Sequence, residues 1–208
     1  MKLLHIDSSI LGQASASRQL SAAIVRALTG AMPGLAIVRR DLDADPIPHL
    51  DSRSLATVRP DIAAGATSHA ADDKGAAALE EFMGADIVVI GAPMYNFAIP
   101  SQLKAWFDRI VIAGKTFRYT EAGAVGLAGG KRVIIASSRG GLYAPGTPYA
   151  ANDFQEAYLR AILGFIGIED INFVRAEGLA FGPEQRETAI RTALASIASA
   201  TFAAAMAA

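Results

Sequence analysis

Five short apolar runs punctuate the chain: "LLHID" at Leu3–Asp7, "LAIVRRDL" at Leu35–Leu42, "DIVVIG" at Asp86–Gly91, "RVIIAS" at Arg132–Ser137 and "INFVRAEG" at Ile171–Gly178. In several of them branched residues stand side by side instead of alternating with polar ones, as expected of strands covered on both faces. Between the runs the period changes to that of helices. Leu20, Ile24 and Leu28 recur every fourth residue; Leu103, Trp106, Phe107, Ile110 and Val111 share one helical face, as do Phe154, Ala157, Tyr158, Ala161, Ile162 and Phe165. Such alternation predicts an α/β protein, a five-stranded parallel sheet with helices on both faces. Two segments break the rhythm. Asp43–Asp72 is too long for a simple connection and predicts a helix or two with a share in a site or interface. Thr116–Lys131 reads as a hairpin around a Glu-Ala-Gly turn.

Composition narrows the partners. The 208 residues suit one domain, 1–208, and 52% hydrophobic residues are ample for its core. With 19 basic and 20 acidic residues the net charge is −1, so no long-range field draws the chain to nucleic acid or an anionic membrane. There is no cysteine, hence no disulfide framework and no thiolate chemistry, in keeping with a cytoplasmic protein. The charge-poor end Thr192–Ala208 is rich in Ala and Ser and predicts a packed final helix, not a membrane span.

Three connections are chemically unusual, and in a sheet of order 2-1-3-4-5 all three fall at the carboxyl ends of the strands around the switch point, where ligands bind. Ser8–Ser17 is rich in hydroxyls and opens a helix, whose free N–H groups favour an anion; Ser9, Ser15 and Ser17 would add donors without charge, suiting a terminal phosphate. The same serines also serve as helix caps. Arg18 is either a phosphate contact or a solvated arginine of the first turn. In Ala92–Pro100, Pro93 and Pro100 stiffen a loop that holds Met94–Phe97 off the core, an arrangement suited to a flat heterocycle, with the Asn96 amide for a pyrimidine edge. In Ser138–Tyr149, Gly140 and Gly141 allow a backbone to approach a ring. No Walker sequence or G-x-G-x-x-G follows the first strand, which argues against a nucleoside triphosphate or a dinucleotide as resident ligand.

Together "PMYNF.IP..LK.W.D", "ASSRGG.Y" and the Ser-Ile-Leu-Gly…Ser-x-Ser start resemble the FMN-dependent NADH azoreductases, relatives of quinone reductases with a flavodoxin-like three-layer fold. The resemblance implies non-covalent FMN with its phosphate at Ser9, Ser15, Ala16 and Ser17. It places the isoalloxazine against Met94, Tyr95, Asn96 and Phe97 and beside Ser138, Arg139, Gly140 and Gly141. Ala16 departs from relatives with a larger polar residue, leaving only backbone contact there. Also implied are NADH or NADPH as donor, quinones and azo compounds as acceptors, ping-pong kinetics, and a homodimer with the active site at its boundary. The other class open to such a chain is a non-enzymatic flavin carrier or redox-responsive module.

The flavin would carry the redox chemistry, so no side-chain nucleophile is expected. Water or a tyrosine would supply the proton, with Tyr95, Tyr119 and Tyr143 standing as equal candidates. His5, His49 and His69 lack metal-ligand spacing, and His5 reads as a satisfied core residue. Ser8 and Ser9 have no G-x-S-x-G elbow, and Asp43 and Asp45 read as turn residues. Arg59 and Phe117 lie in segments able to reach a substrate across a dimer, but read first as a solvated arginine and a core phenylalanine. Leu159, Leu163 and Ile166 stand beside the main stripe of their helix, a second apolar face that either a partner subunit or a thicker core of this chain would cover.

Overall fold

A computed structural model describes residues 1–52, 54 and 70–205, with side chains treated for residues 1–52, 54 and 73–198. Arg59 and His69 lie outside the described residues, as does most of the long connection. The main sheet comprises β1 (Lys2–Asp7), β2 (Ala36–Asp41), β3 (Ile87–Pro93), β6 (Arg132–Ser138) and β7 (Asp170–Ala176), all parallel, in the order β2-β1-β3-β6-β7. Counting only these five, the order is the expected 2-1-3-4-5. The predicted hairpin is β4 (Phe117–Thr120) paired antiparallel with β5 (Gly123–Gly126).

Two apolar layers flank the sheet. On one side Leu3, Ile87, Val89, Ile134 and Val174 pack against α1 (Ala16–Ala31) and α5 (Pro183–Ala205). On the other Leu4, Ile6, Val88, Ile90, Val133 and Ile135 meet α2 (Ala70–Met83), α3 (Ser101–Ile110) and α4 (Phe154–Phe165). All seven residues of β3 are buried, which is why its sequence runs without alternation. The register between β3 and β6 runs on to Pro93 and Ser138, two residues past the last pair of β3 with β1, and β7 keeps pace with Ala176 opposite Ser138. The expected final helix forms, with Ala193 and Ile197 buried.

Helix α4 is turned relative to the sequence expectation. Leu159, Leu163 and Ile166 are fully buried in this chain's own core, while Phe154 and Phe165 are exposed, so the former three are not a spare face for a partner. Two buried polar residues set that rotation. Gln155 Nε2 donates to the Ala92 carbonyl at 2.8 Å and its Oε1 accepts from Ser137, while Glu156 faces arginines inward. A periodicity that assigns polar residues to solvent therefore finds the wrong stripe. Phe117, by contrast, is a buried residue under the hairpin, 4.6 Å from the ring of Phe165.

Candidate active site

The three unusual loops converge. One cavity of about 180 Å³ is lined by Ser9, Ser15 and Ala16 from the first, Pro93, Met94 and Tyr95 from the second, and Ser138, Arg139 and Gly140 from the third. A wider hollow of about 740 Å³, lined by Met1, Ile87, Arg132 and Asp170 among others, opens at the amino ends of the strands. Size does not decide between them. In the larger one Arg132 is paired with Asp170, the Asp86 carboxylate accepts from Lys2 N–H, and Lys131 donates to two carbonyls. The smaller one lies at the strand ends where open parallel sheets bind ligands.

At its first wall α1 begins with Ser15 as N-cap, accepting from Arg18 N–H at 3.2 Å. The capping function is thus present, and it leaves the N–H groups of Ala16 and Ser17 without an intrahelical acceptor. Ser15 and Ser17 are buried with hydroxyl oxygens 3.0 Å apart. Arg18 turns away into a bidentate pair with Asp41, at 2.5 and 2.7 Å, and donates to the Ser9 carbonyl. It is neither a free surface arginine nor available to a ligand, and its hydrogen bond holds the Asp41 carboxyl below its ordinary pKa. Ser8 donates to the Gly91 carbonyl, a structural bond.

At the second wall, Tyr95 and Ala98 exchange backbone hydrogen bonds across Asn96 (φ 48°) and Phe97 (φ 70°). Both central residues lie in the left-handed region, a turn that ordinarily selects glycine or asparagine. A bulky residue there is strained. The Met94 and Tyr95 N–H groups are already engaged, so only those of Asn96 and Phe97 lack an acceptor among the described residues. Tyr95 is not free to donate at will, because its hydroxyl meets Ser9 Oγ at 3.3 Å and accepts from Ile10 N–H at 3.2 Å. Tyr119 sits on the hairpin, which packs on the far end of α4. Tyr143 stands edge-on to Phe97, with ring centroids 6.2 Å apart, while Tyr95 is the tyrosine that lines the cavity.

At the third wall the side chain of Arg139 turns away from solvent. It is 1% exposed and points into the protein, where it pairs with Asp153 and Glu177 at 3.0 Å and with Glu156. The residue still lines the cavity, and its N–H is spent on the Ala176 carbonyl. Gly140 and Gly141 keep N–H groups without an acceptor among the described residues. A β-carbon at Gly141 would stand 3.1 Å from the Tyr143 ring, so this glycine also makes room for that tyrosine.

A fourth segment, absent from the sequence expectation, completes the cavity: Leu179 and Ala180 after β7, and Arg186 of α5. The loops are laced in a ring. Tyr95 ties the second to the first; Met94 N–H donates to the Ser138 carbonyl at 2.8 Å; Gly178, Leu179 and Ala180 donate to the carbonyls of 141, 139 and 140; and Arg186 Nη2 donates to the Ala14 carbonyl at 2.6 Å. Beneath lies His5, 5% exposed, its Nε2 3.3 Å from Asp7 Oδ2 but without hydrogen-bond geometry. It is buried as expected, yet that nitrogen is not satisfied. Among the described residues no cluster of His, Asp or Glu could hold a metal.

The flavodoxin-like fold family matches residues 1–200. The chain belongs to this family. Within it, a protein of Methylocella silvestris named FMN-dependent NADH:quinone oxidoreductase is 59% identical over 194 residues, covering 93% of this chain and 95% of the relative. A Xanthomonas axonopodis pv. citri protein named FMN-dependent NADH:quinone oxidoreductase 1 is 57% identical, covering 95% of each. Among solved structures, an azoreductase from Bacillus anthracis str. Sterne superposes with a TM-score of 0.85 at 29% identity, covering 96% of this chain and 97% of the other. An FMN-dependent NADH-azoreductase from Bacillus anthracis str. Ames Ancestor, in complex with FMN, gives 0.82 at 28% identity, covering 95% and 98%. The family's fold accounts for all five strands of the main sheet and their order.

The turn at Asn96–Phe97 yields a first prediction. Phe97→Gly should change stability by no more than about 1 kcal/mol, since relief of left-handed strain and the entropy cost of glycine are of similar size. Flavin retention should nevertheless fall, because the ring that flanks Tyr143 is gone. Urea melts with flavin fluorescence check both, and a stability loss above about 2 kcal/mol would show the phenyl ring to be holding the loop together.

Proposed function

We propose that this protein is an FMN-dependent NADH:quinone oxidoreductase that also cleaves aromatic azo compounds to amines. The observation that carries the reading is the meeting, in one cavity, of a hydroxyl-rich helix start with Met94 and Tyr95 of the second loop and Ser138 and Gly140 of the third. The donor set fits a flavin nucleotide. Ser9, Ser15 and Ser17, with the N–H groups of Ala16 and Ser17, suit the phosphate. The unpaired N–H groups of Asn96, Phe97, Gly140 and Gly141 suit the polar edge of a ring, and Met94, Tyr95 and Phe97 its apolar surface. The cavity itself is smaller than a whole flavin, so it suits the phosphate and chain end, with the ring against the loop tips.

Bound FMN would supply the hydride-accepting and electron-donating chemistry. The residues of the chain bind, orient and exclude water. Donors fixed by the 94–98 turn meet developing negative charge without reorganising, which is where such a site gains most. Tyr143, edge-on to Phe97 at the loop tips, would hold a proton there. NADH and the acceptor occupy the same face in turn, which gives ping-pong kinetics. The working unit is a homodimer, its support being the exposed aromatics Phe97, Tyr149, Phe154 and Phe181 in and beside the loops of the cavity end. Among the described residues no helix is long and apolar enough to cross a membrane, and a cytoplasmic location suits the cysteine-free chain.

The test is anaerobic. Protein loaded with FMN and freed of excess is titrated with NADH, then with NADPH, while the flavin spectrum is followed. Bleaching at one NADH per flavin, with colour restored by a quinone and by an azo dye, is the expected result. Retained flavin that neither nucleotide bleaches would mean an electron carrier or redox-responsive module instead, and failure to retain flavin would remove the reading of the loops altogether.

A further inference from the structure

Arg186 is the one basic side chain that lines the cavity without a carboxylate partner among the described residues. Arg139 borders the same space but its guanidinium is consumed by three carboxylates, and Arg18, though next to Ser17, is consumed by Asp41. Arg186 reaches from α5 across to the first loop, where Nη2 donates to the Ala14 carbonyl at 2.6 Å, one residue before the N-cap Ser15. That single bond uses one of the five N–H groups of a guanidinium and leaves the others for a ligand. Ala16, which lines the same cavity, has a backbone N–H to offer but no polar side chain.

We propose that Arg186 supplies the positive charge for the flavin phosphate, making FMN, and not the uncharged riboflavin, the resident flavin; this rests on the functional reading above. The serine hydroxyls and helix N–H groups give direction without net charge, whereas a dianionic phosphate monoester gains most from a cation able to donate several hydrogen bonds. Because the arginine is anchored on a carbonyl of the loop it serves, its fork arrives oriented and loses little freedom on binding. The phosphate cradle is therefore built from both ends of the chain, the loop after β1 and the first turns of α5.

The test measures FMN dissociation constants for apoprotein of the wild type, Arg186→Gln and Arg186→Lys, each at several salt concentrations, with riboflavin as the uncharged comparison. Wild-type binding to FMN, read first, checks the functional reading by itself. On the proposal, Arg186→Gln weakens FMN about tenfold, the value of one charge-assisted contact, and flattens its salt dependence. Riboflavin binding changes little, and Arg186→Lys recovers most of the loss. Equal weakening of FMN and riboflavin would mean that Arg186 only shapes the loop. Wild-type affinity and salt dependence in Arg186→Gln would mean that it does not meet the phosphate. Either result overturns the assignment, with FMN binding by the wild type left intact.

Discussion

Arg139→Met is expected to cost about 3–5 kcal/mol of folding stability, the range for removing one partner from a buried ionic cluster. The guanidinium is almost fully enclosed and is the common partner of Asp153, Glu156 and Glu177, while also donating from Nε to Ser137 Oγ and Gln155 Oε1. Methionine fills much of the volume but leaves the carboxylates facing one another with less water than they need. Arg175 would still hold Glu156 through two hydrogen bonds at 2.6 and 2.8 Å. Among the described residues no second arginine is hydrogen-bonded to Asp153 or Glu177. Glu177 also accepts from Tyr143 N–H at 2.9 Å, so its displacement loosens the loop carrying Gly140 and Gly141. Urea denaturation should therefore show a lower midpoint with an unchanged slope, and flavin retention should fall with it. Arg139→Lys should recover only part of the loss, since an ammonium cannot bridge three carboxylates in the planar fork. A change below 1 kcal/mol would mean that the carboxylates relax into water and that the cluster does not hold the loop.

The second large effect belongs to a glycine far from the cavity. Gly126 of β5 lies against the turn that follows α4: a β-carbon there would stand 2.1 Å from Gly167 N and 2.3 Å from the Ile166 carbonyl carbon. Both are backbone atoms, so no side chain can swing aside. Gly126→Ala should cost roughly 3 kcal/mol or more, at or beyond the usual upper range for overpacking. Damage should concentrate in the hairpin, whose attachment includes the 2.9 Å bond from Ala128 N–H to the Ile166 carbonyl. Amide exchange would show this as protection lost in β4 and β5 before the parallel sheet. Gly30→Ala offers the contrast, since it lies inside α1 with no heavy atom within 4 Å of the added carbon and should stabilise by about 0.5–1 kcal/mol. Similar behaviour of the two variants would mean that the close packing at Gly126 yields without strain.

The fold and most of the candidate site were legible in the sequence because they depend on local patterns. Consecutive branched residues marked strands covered on both sides, and their alternation with helical periods fixed the parallel sheet. The hydroxyl-rich loop, the proline-bounded loop and the Gly-Gly loop stood out by composition, and the sheet order brought them together. What escaped depends on contacts distant in the chain. Nothing in "SSRGG" says that the arginine turns inward, because that follows from carboxylates at 153, 156 and 177. The rotation of α4 was hidden by Gln155 and Glu156, polar residues that a pattern assigns to water and the core has a use for. Leu179 and Ala180 are ordinary residues of an ordinary connection, and Arg186 is an ordinary arginine in the first turn of a helix. The turn at Phe97 conflicts with the propensity of its own residue, and such a conflict is visible only as a backbone angle.

The lacing of the four loops also bears on how this protein can be altered. A designer who wants a different acceptor would naturally exchange one loop at a time between homologues. Here the second loop is fastened through Tyr95 to the first and through Met94 to the strand end that opens the third, and the third is stitched to residues 178–180. A transplanted segment arrives without its counterpart's knots, so graftable units are sets of loops, and recombination points belong in the helices on the sheet's outer faces.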